Sequence, residues 1–361
     1  MSAPRPEGTA SSTETAAETM ARDTSGSAAP VRASVGPPRA IGVDDLEAWS
    51  VLHNAVGAFD DSGEVANAVQ MGEMLSIPGR DPELDTFSWW DGATMIASST
   101  VSVREAAKDG VAKANLDGGV HPDFRARGLG GEILARGEAR IRRLAAARHP
   151  GLPVQIDLWN TLTNDGYQEL AVAHGYEAVR YFLDMRIDLA VWTPPEPSDH
   201  AAEPVRITEA LSPHVHRAHL DAFRDHWNFT PGSIEKWKHF VGGSAFRPEF
   251  SRLALDPRYP EDPVDAYVLS EEWDAGEIYV ALVGTRRRAR GRGLASALLT
   301  DVVRQARAAG YERIELGVDS DSPTGAVGLY ERIGFRPIRR SVEYSKVVEP
   351  LRAPQETATA G

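Results

Sequence analysis

The stretch ALVGTRRRARGRGLASALL, residues 281–299, decides how this chain folds. An apolar run gives way to Arg288, Ala289, Arg290, Gly291, Arg292 and Gly293, after which Leu294, Leu298, Val302 and Ala306 recur at four-residue steps. That spacing predicts a helix with one apolar stripe, preceded by a strand. The glycines then fall at the helix N-terminus, where several backbone N–H groups have no partner inside the helix. Such a terminus attracts anions, and glycine lets a pyrophosphate approach the backbone with no Cβ in the way. Arg288, Arg290 and Arg292 are expected to add positive charge around it.

Working outward, a second copy stands earlier in the chain. GGVHPDFRARGLGGEIL, Gly118 to Leu134, sets Arg125, Gly128 and Gly130 in the same Arg-x-x-Gly-x-Gly order as Arg288, Gly291 and Gly293. Each copy continues with an alternating strand, VQIDLW from Val154 or RIELGV from Arg313, whose residues Val154, Ile156 and Leu158, or Ile314, Leu316 and Val318, share one face. A short helix follows, closing on Gly175 and Tyr176 or on Gly334 and Phe335, where glycine predicts a left-handed C-terminal cap. Ser322 as N-cap and Pro323 at the first position predict where the second of these helices begins. Paired strands are expected ahead of each copy, in FSWWDGATMIASSTVSV and in SRLALD with VDAYVLSEEWD. The expected organisation is two tandem α/β domains over residues 39–192 and 205–349, with a proline-rich linker at 193–204. The tails, 1–38 and 350–361, hold too few large apolar residues to offset ordering entropy.

Composition narrows the function. With 361 residues, 42% apolar and 25% charged, the chain is globular in type and long enough for two cores. No apolar run approaches the roughly 18 residues that span a bilayer. The first residues lack a cationic and then apolar secretory pattern, so a cytoplasmic protein with no membrane partner is expected. Cysteine is absent, which excludes disulfides, thiolate metal sites and a cysteine nucleophile, and no metal site is predicted. A formal net charge of -13 argues against nucleic acid and accommodates a small amine substrate, although it also serves solubility.

Two other phosphate-binding turns fit poorly. A dinucleotide turn needs a third glycine where Ser296 stands, and a P-loop needs Gly-Lys followed by Ser or Thr. Arg-x-x-Gly-x-Gly between strand and helix, followed by AVGLYERIGF, resembles the GNAT superfamily of acyl-CoA-dependent N-acyltransferases. The resemblance covers both copies and is sharpest from Ile278 to Phe335. The tandem arrangement, with DSDSPTGAVGLYERIGF and Asp225-His226-Trp227, is similar to mycothiol synthase and its relatives, which acetylate the cysteinyl amine of a sugar-containing thiol. The resemblance implies a mixed, largely antiparallel sheet in each domain, whose fourth and fifth strands splay apart to admit acetyl-CoA as cosubstrate. Here those strands are Ile278 to Gly284 and Arg313 to Asp319. It places the pyrophosphate on Arg288 to Gly293 and the start of the helix at Leu294 and Ala295. The acyl carbonyl falls on the backbone of Leu282 and Val283.

Tyr330 corresponds to the family's proton donor to the departing thiolate; a phenol with pKa near 10 is neutral at pH 7 and can donate. The bland alternative is a core aromatic. In the first copy, Ala171 falls opposite Tyr330 and Pro122 stands close to the turn, so that copy is expected to lack turnover, while Arg125, Gly128 and Gly130 leave cofactor binding open. Asp225, His226, Glu277 and Asp319 are candidates for the general base. Trp227, Phe229 and Trp237 line an acceptor pocket or pack the first helices. The expected function is transfer of acetyl to a primary amine of a small molecule. A non-catalytic acyl-CoA-binding protein and a nicotinamide-dependent oxidoreductase are the alternatives.

Overall fold

The computed structural model describes residues 36–195, 203–322 and 325–351; residues 1–35, most of the expected linker, Pro323 and the last ten residues lie outside them. The first copy runs α1 (Leu46–Asp60), α2 (Ala68–Leu75), α3 (Pro82–Asp85), β1 (Thr86–Asp91), β2 (Thr94–Val103), β3 (Ala112–Val120), α4 (Leu129–Arg148), β4 (Val154–Thr161), α5 (Asp165–Ala173) and β5 (Glu177–Asp188). The second runs β6 (Val205–Arg206), α6 (Ser212–Phe223), α7 (Ile234–Val241), β7 (Arg252–Leu255), β8 (Val264–Glu271), β9 (Glu277–Thr285), α8 (Leu294–Ala308), β10 (Arg313–Asp319), α9 (Ala326–Ile333) and β11 (Arg336–Val348). Among the described residues no helix is long and apolar enough to cross a membrane.

The anticipated patterns hold. Leu294, Leu298, Val302 and Ala306 are buried along α8, and Val154, Ile156, Leu158, Ile314, Leu316 and Val318 are buried on their strands. Both short helices end in the same motif: Gly175 and Gly334 have φ of 80° and 122°. Tyr176 N–H donates to Ala171 O, and Phe335 N–H donates to Tyr330 O, each at 3.0 Å, while Gly175 N–H donates to Val172 O and Gly334 N–H is shared between Tyr330 O and Glu331 O. The matching caps make Ala171 and Tyr330 equivalent by geometry. The other end of α9 corrects the sequence reading. Its N-cap is Gly325 at φ 67°, not Ser322; Gly325 N–H donates to Ser322 O at 3.2 Å, which closes a turn ahead of the helix.

The eleven strands of the described residues form one sheet in the order β1-β2-β3-β4-β11-β5-β10-β9-β8-β7-β6. Two pairs are parallel, β3 with β4 and β9 with β10, and the rest are antiparallel. The last strand of each copy crosses to the other: β11 pairs with β4 over Ser341–Thr161 to Val348–Val154, and β5 pairs with β10 over Arg313–Asp188 to Asp319–Phe182. The sheet therefore does not divide where the sequence repeat does. Met185, Ile187, Leu189 and Trp192, all from the first copy, are buried in one cluster with Ile278, Leu298, Ile314, Tyr330 and Phe335 of the second. Each such side chain contributes roughly 1.5–3 kcal/mol through burial. Trp192 Nε1 donates to Ile333 O at 2.8 Å, and Arg307 Nη1 donates to Trp192 O at 2.9 Å, so the chain ahead of the linker is tied to the second copy by hydrogen bonds as well.

Candidate active site

β9 and β10 pair at Glu277–Arg313, Ile278–Ile314 and Tyr279–Glu315, and beyond that point the ladder stops. The β10-facing backbone of β9 from Val280 onward thus has no strand partner. On its other edge, β9 skips Ala281 in its pairing with β8, a bulge immediately before Leu282 and Val283. Leu282 packs on the cluster that holds Val215, Ala218 and Trp237, and Val283 on the one that holds Leu294 and Leu298. β3 and β4 diverge in the same way after Asn115 and Asp157.

The turn after each splaying strand is a short 3-10 helix, Arg287–Ala289 or Pro122–Phe124, leading to an N-cap glycine in the left-handed region: Gly293 at φ 71° or Gly128 at φ 88°. This fixes the true register of the repeat. Gly128 matches Gly293, Ala126 at φ 58° matches Gly291 at φ 75°, and Arg125 matches Arg290, so the sequence alignment of Arg125 with Arg288 was two residues out. Gly130 lies inside α4, where a Cβ would come within 2.7 Å of Leu170 Cδ2; its counterpart is Ala295. Neither helix receives a side-chain cap. The N–H groups of the first turn, including Leu294 and Ala295, stay available to an anion. A Cβ built on Gly291 meets nothing within 4 Å, so a pyrophosphate has room at the backbone.

The loop arginines are less free than the sequence suggests. Arg288 Nε donates to Asp265 Oδ1 at 2.8 Å with its guanidinium 3.9 Å over the Tyr259 ring, and Arg292 Nη1 donates to Asp265 Oδ2 at 3.0 Å. Asp265 is buried and needs both partners. Arg290 Nη2 donates to Ala222 O at 3.0 Å and lies 3.9 Å from Asp225. Arg125 makes a two-pronged pair with Asp60 at 2.7 and 2.8 Å. In each copy a carboxylate at the end of the first helix thus meets the loop arginine, a correspondence that the repeat, once correctly registered, could have revealed.

Tyr330 is buried and packs edge-on against Phe335 at 5.9 Å. Burial pushes its pKa up to about 12. Among the described residues no group hydrogen-bonds its hydroxyl. The base candidates separate clearly. Asp225 accepts from Arg287 Nε at 2.8 Å, and that bond holds its carboxyl below the usual range. Asp319 is paired with Arg180 and Glu277 with Arg313, burial raising the Glu277 carboxyl. His226 has no ion pair among the described residues; it stacks on Phe223 at 4.3 Å, and burial lowers its pKa. Phe229 and Trp237 ring His219, at 5.5 and 5.7 Å, and Trp227 lies under Arg180.

His219 gives this wall an acid limit. Its Nδ1 is 2.8 Å from Tyr267 Oη, and burial lowers its pKa to about 4. The unfolded chain takes up a proton near pH 6.5 that the folded chain refuses, so stability is full above 6.5 and falls as pH drops toward 4, by up to about 3 kcal/mol at 1.36 kcal/mol per unit. Melting His219→Phe beside wild type at pH 7 and 4.5 checks this: the variant should lose less on acidification, and equal losses would remove His219 as the cause.

The acetyltransferase (GNAT) family model matches residues 213–335. The mycothiol acetyltransferase of Geodermatophilus obscurus is 31% identical over 255 residues, 66% of this chain and 74% of that protein. Among solved structures, a GCN5-related N-acetyltransferase from Sphaerobacter thermophilus superposes with a TM-score of 0.66 at 26% identity, over 87% of this chain and 96% of the other. A tandem GNAT protein from the clavulanic acid biosynthesis pathway shares the fold, with a TM-score of 0.60 at 18% identity over 87% and 99% of the two chains. With its diverging strands, uncapped helix and repeated topology, the chain belongs to the GNAT family in its tandem form and is an acyl-CoA-dependent N-acetyltransferase.

Proposed function

We propose that the second copy carries the chemistry, taking acetyl from acetyl-CoA to the primary amine of a small molecule, with Tyr330 as proton donor. The observation that carries this reading is the divergence of β9 from β10 beside an uncapped α8 and Tyr330. Gly291, Gly293 and the first-turn N–H groups of Leu294 and Ala295 hold the pyrophosphate, with Arg290 a cation of the same turn. Arg288 and Arg292 support the loop through Asp265. Acetyl-CoA supplies a thioester. The free backbone edge of β9 near Leu282 and Val283 polarises the carbonyl, and Tyr330 donates a hydrogen bond to the departing sulfur.

In the first copy, Asp117 and Gly118 occupy the positions of Leu282 and Val283, and Ala171 that of Tyr330. A carboxyl beside the carbonyl site and a missing phenol both argue against turnover there. The domain division at 193–204 is accordingly a division of roles. The relatives called mycothiol acetyltransferases guide the choice of acceptors. The test is a screen of amines with acetyl-CoA: cysteinyl amines with the sulfur blocked, amino sugars and polyamines, read by released thiol. The chain contains no cysteine, so it adds no background. Thiol release with an acetylated amine as coproduct is expected. Hydrolysis alone, with every amine class, would overturn the amine acceptor.

A further inference from the structure

The segment after α6, Asp225 to Phe229, belongs to the second copy but is fastened by the first. Asn228 is buried and adopts φ 53°, a left-handed conformation that asparagine tolerates. Its Nδ2 donates at 2.7 Å to Oδ2 of Asp157, which sits on β4 at the last pair before that strand diverges. Arg104 Nη1 donates to Asn228 O at 2.5 Å, and Lys108 Nζ donates to His226 O at 3.0 Å. Asp157 is itself fixed, accepting from Gln155 Nε2 at 2.7 Å and from Ser345 Oγ, with Arg104 3.9 Å away. Three residues before Asn228, Asp225 grips Arg287 and approaches Arg290 of the turn leading to α8. A chain of contacts therefore runs from a buried carboxylate in the first copy to the acyl-CoA loop of the second.

We infer that Asn228 is a positioning residue, through which Asp157 of the first copy holds Asp225 and, with it, Arg290 in the geometry that binds acyl-CoA. This gives the first copy a part in the second copy's site that needs no chemistry of its own. It rests on the reading that the loop around Arg290 holds the pyrophosphate. Glu343 also meets Asp157 and Asn228, and burial beside Asp157 pushes its carboxyl up to about 8; Asn228→Asp removes the amide donor and adds one more acid at this point with little change of shape, which unlocks the segment.

The experiment is calorimetric titration of the full chain with acetyl-CoA, beside hydrogen exchange of residues 224–231. Asn228→Asp should weaken affinity about tenfold and deprotect the segment. The swapped pair Asp157→Asn with Asn228→Asp restores one hydrogen bond and should recover most of that loss. Added to Arg290→Ala, Asn228→Asp should cost nothing more, because the residue it positions is gone. Should Asn228→Asp not fold, Asn228→Gly keeps the left-handed backbone and removes the lock. Wild-type affinity in a deprotected, folded variant overturns the inference, as do losses that simply add to those of Arg290→Ala. Unchanged affinity in Arg290→Ala alone would instead overturn the placing of acyl-CoA on this loop.

Discussion

Tyr330→Phe is expected to lower turnover by about 100- to 10,000-fold, the usual contribution of a positioned acid or base. That is roughly 2.7 to 5.4 kcal/mol of transition-state stabilisation. Acetyl-CoA affinity should barely move, because the ring still packs on Phe335 and the turn ahead of α8 is untouched. Folding should also be spared, since no described group loses a hydrogen-bond partner with the hydroxyl. The raised pKa refines the role. A phenol at about 12 keeps its proton through the working range, and full transfer to a thiolate of pKa about 8.5 is uphill. If Tyr330 is the donor, it acts through a hydrogen bond while charge develops on sulfur, so the pH–rate profile should show no Tyr330 ionisation below about pH 11. Ala171→Tyr cannot move the function to the first copy: Ala171 is 1% exposed, and a tyrosine there overpacks the core. Steady-state kinetics with melts on the same samples decides the matter. A folded, fully active Tyr330→Phe chain ends the proton-donor assignment.

Gly291 is the next most sensitive position for binding. Gly291→Val should weaken acetyl-CoA about 100-fold and Gly291→Ala about tenfold, as read by calorimetry. The space a Cβ would enter is empty of protein, so beyond the backbone strain of a side chain at φ 75° the penalty falls on the ligand's approach. Ala126 supplies the control for folding. It holds φ 58° at the equivalent place in the first copy, so a methyl group is compatible with this turn at a backbone cost of about 1–2 kcal/mol. Gly293 is a poorer probe, because it also sets the N-cap of α8, and a branched residue there confuses folding with binding. Folded Gly291 variants with wild-type affinity would take the pyrophosphate off this turn.

Most of the individual elements were legible in the sequence because local rules write them. The four-residue stripe of α8, the alternating faces of β4 and β10, and the glycines 175 and 334 depend on near neighbours. The repeat gave the order of elements in both copies, and the family resemblance gave the diverging pair of the second; the matching divergence of β3 from β4 came from the structure. The exact register of the two glycine turns was not legible, because matching Arg-x-x-Gly-x-Gly sets Arg125 on Arg288, whereas the left-handed caps at Gly128 and Gly293 set it on Arg290. The partners of the loop arginines were hidden for another reason. Asp265 stands 23 residues before Arg288 and Asp225 62 before Arg287, and nothing in a single sequence ties an acid to one of several bases. Asn228 and Asp157 lie 71 residues apart, in different copies, and meet because strands cross between the copies.

That crossing has a consequence for how such a chain can change over time. A duplicated gene usually leaves one product free to erode once the other does the work. Here erosion is blocked by architecture, because β10 has the first copy's β5 as its neighbour and β4 has the second copy's β11. Deleting the first copy would bare the β10 edge and the pocket that Trp192 fills, inviting edge-to-edge aggregation. The fused chain is the covalent counterpart of two subunits that have traded their final strands. It follows that the halves inherit one fate: selection on either copy also preserves the scaffold of the other.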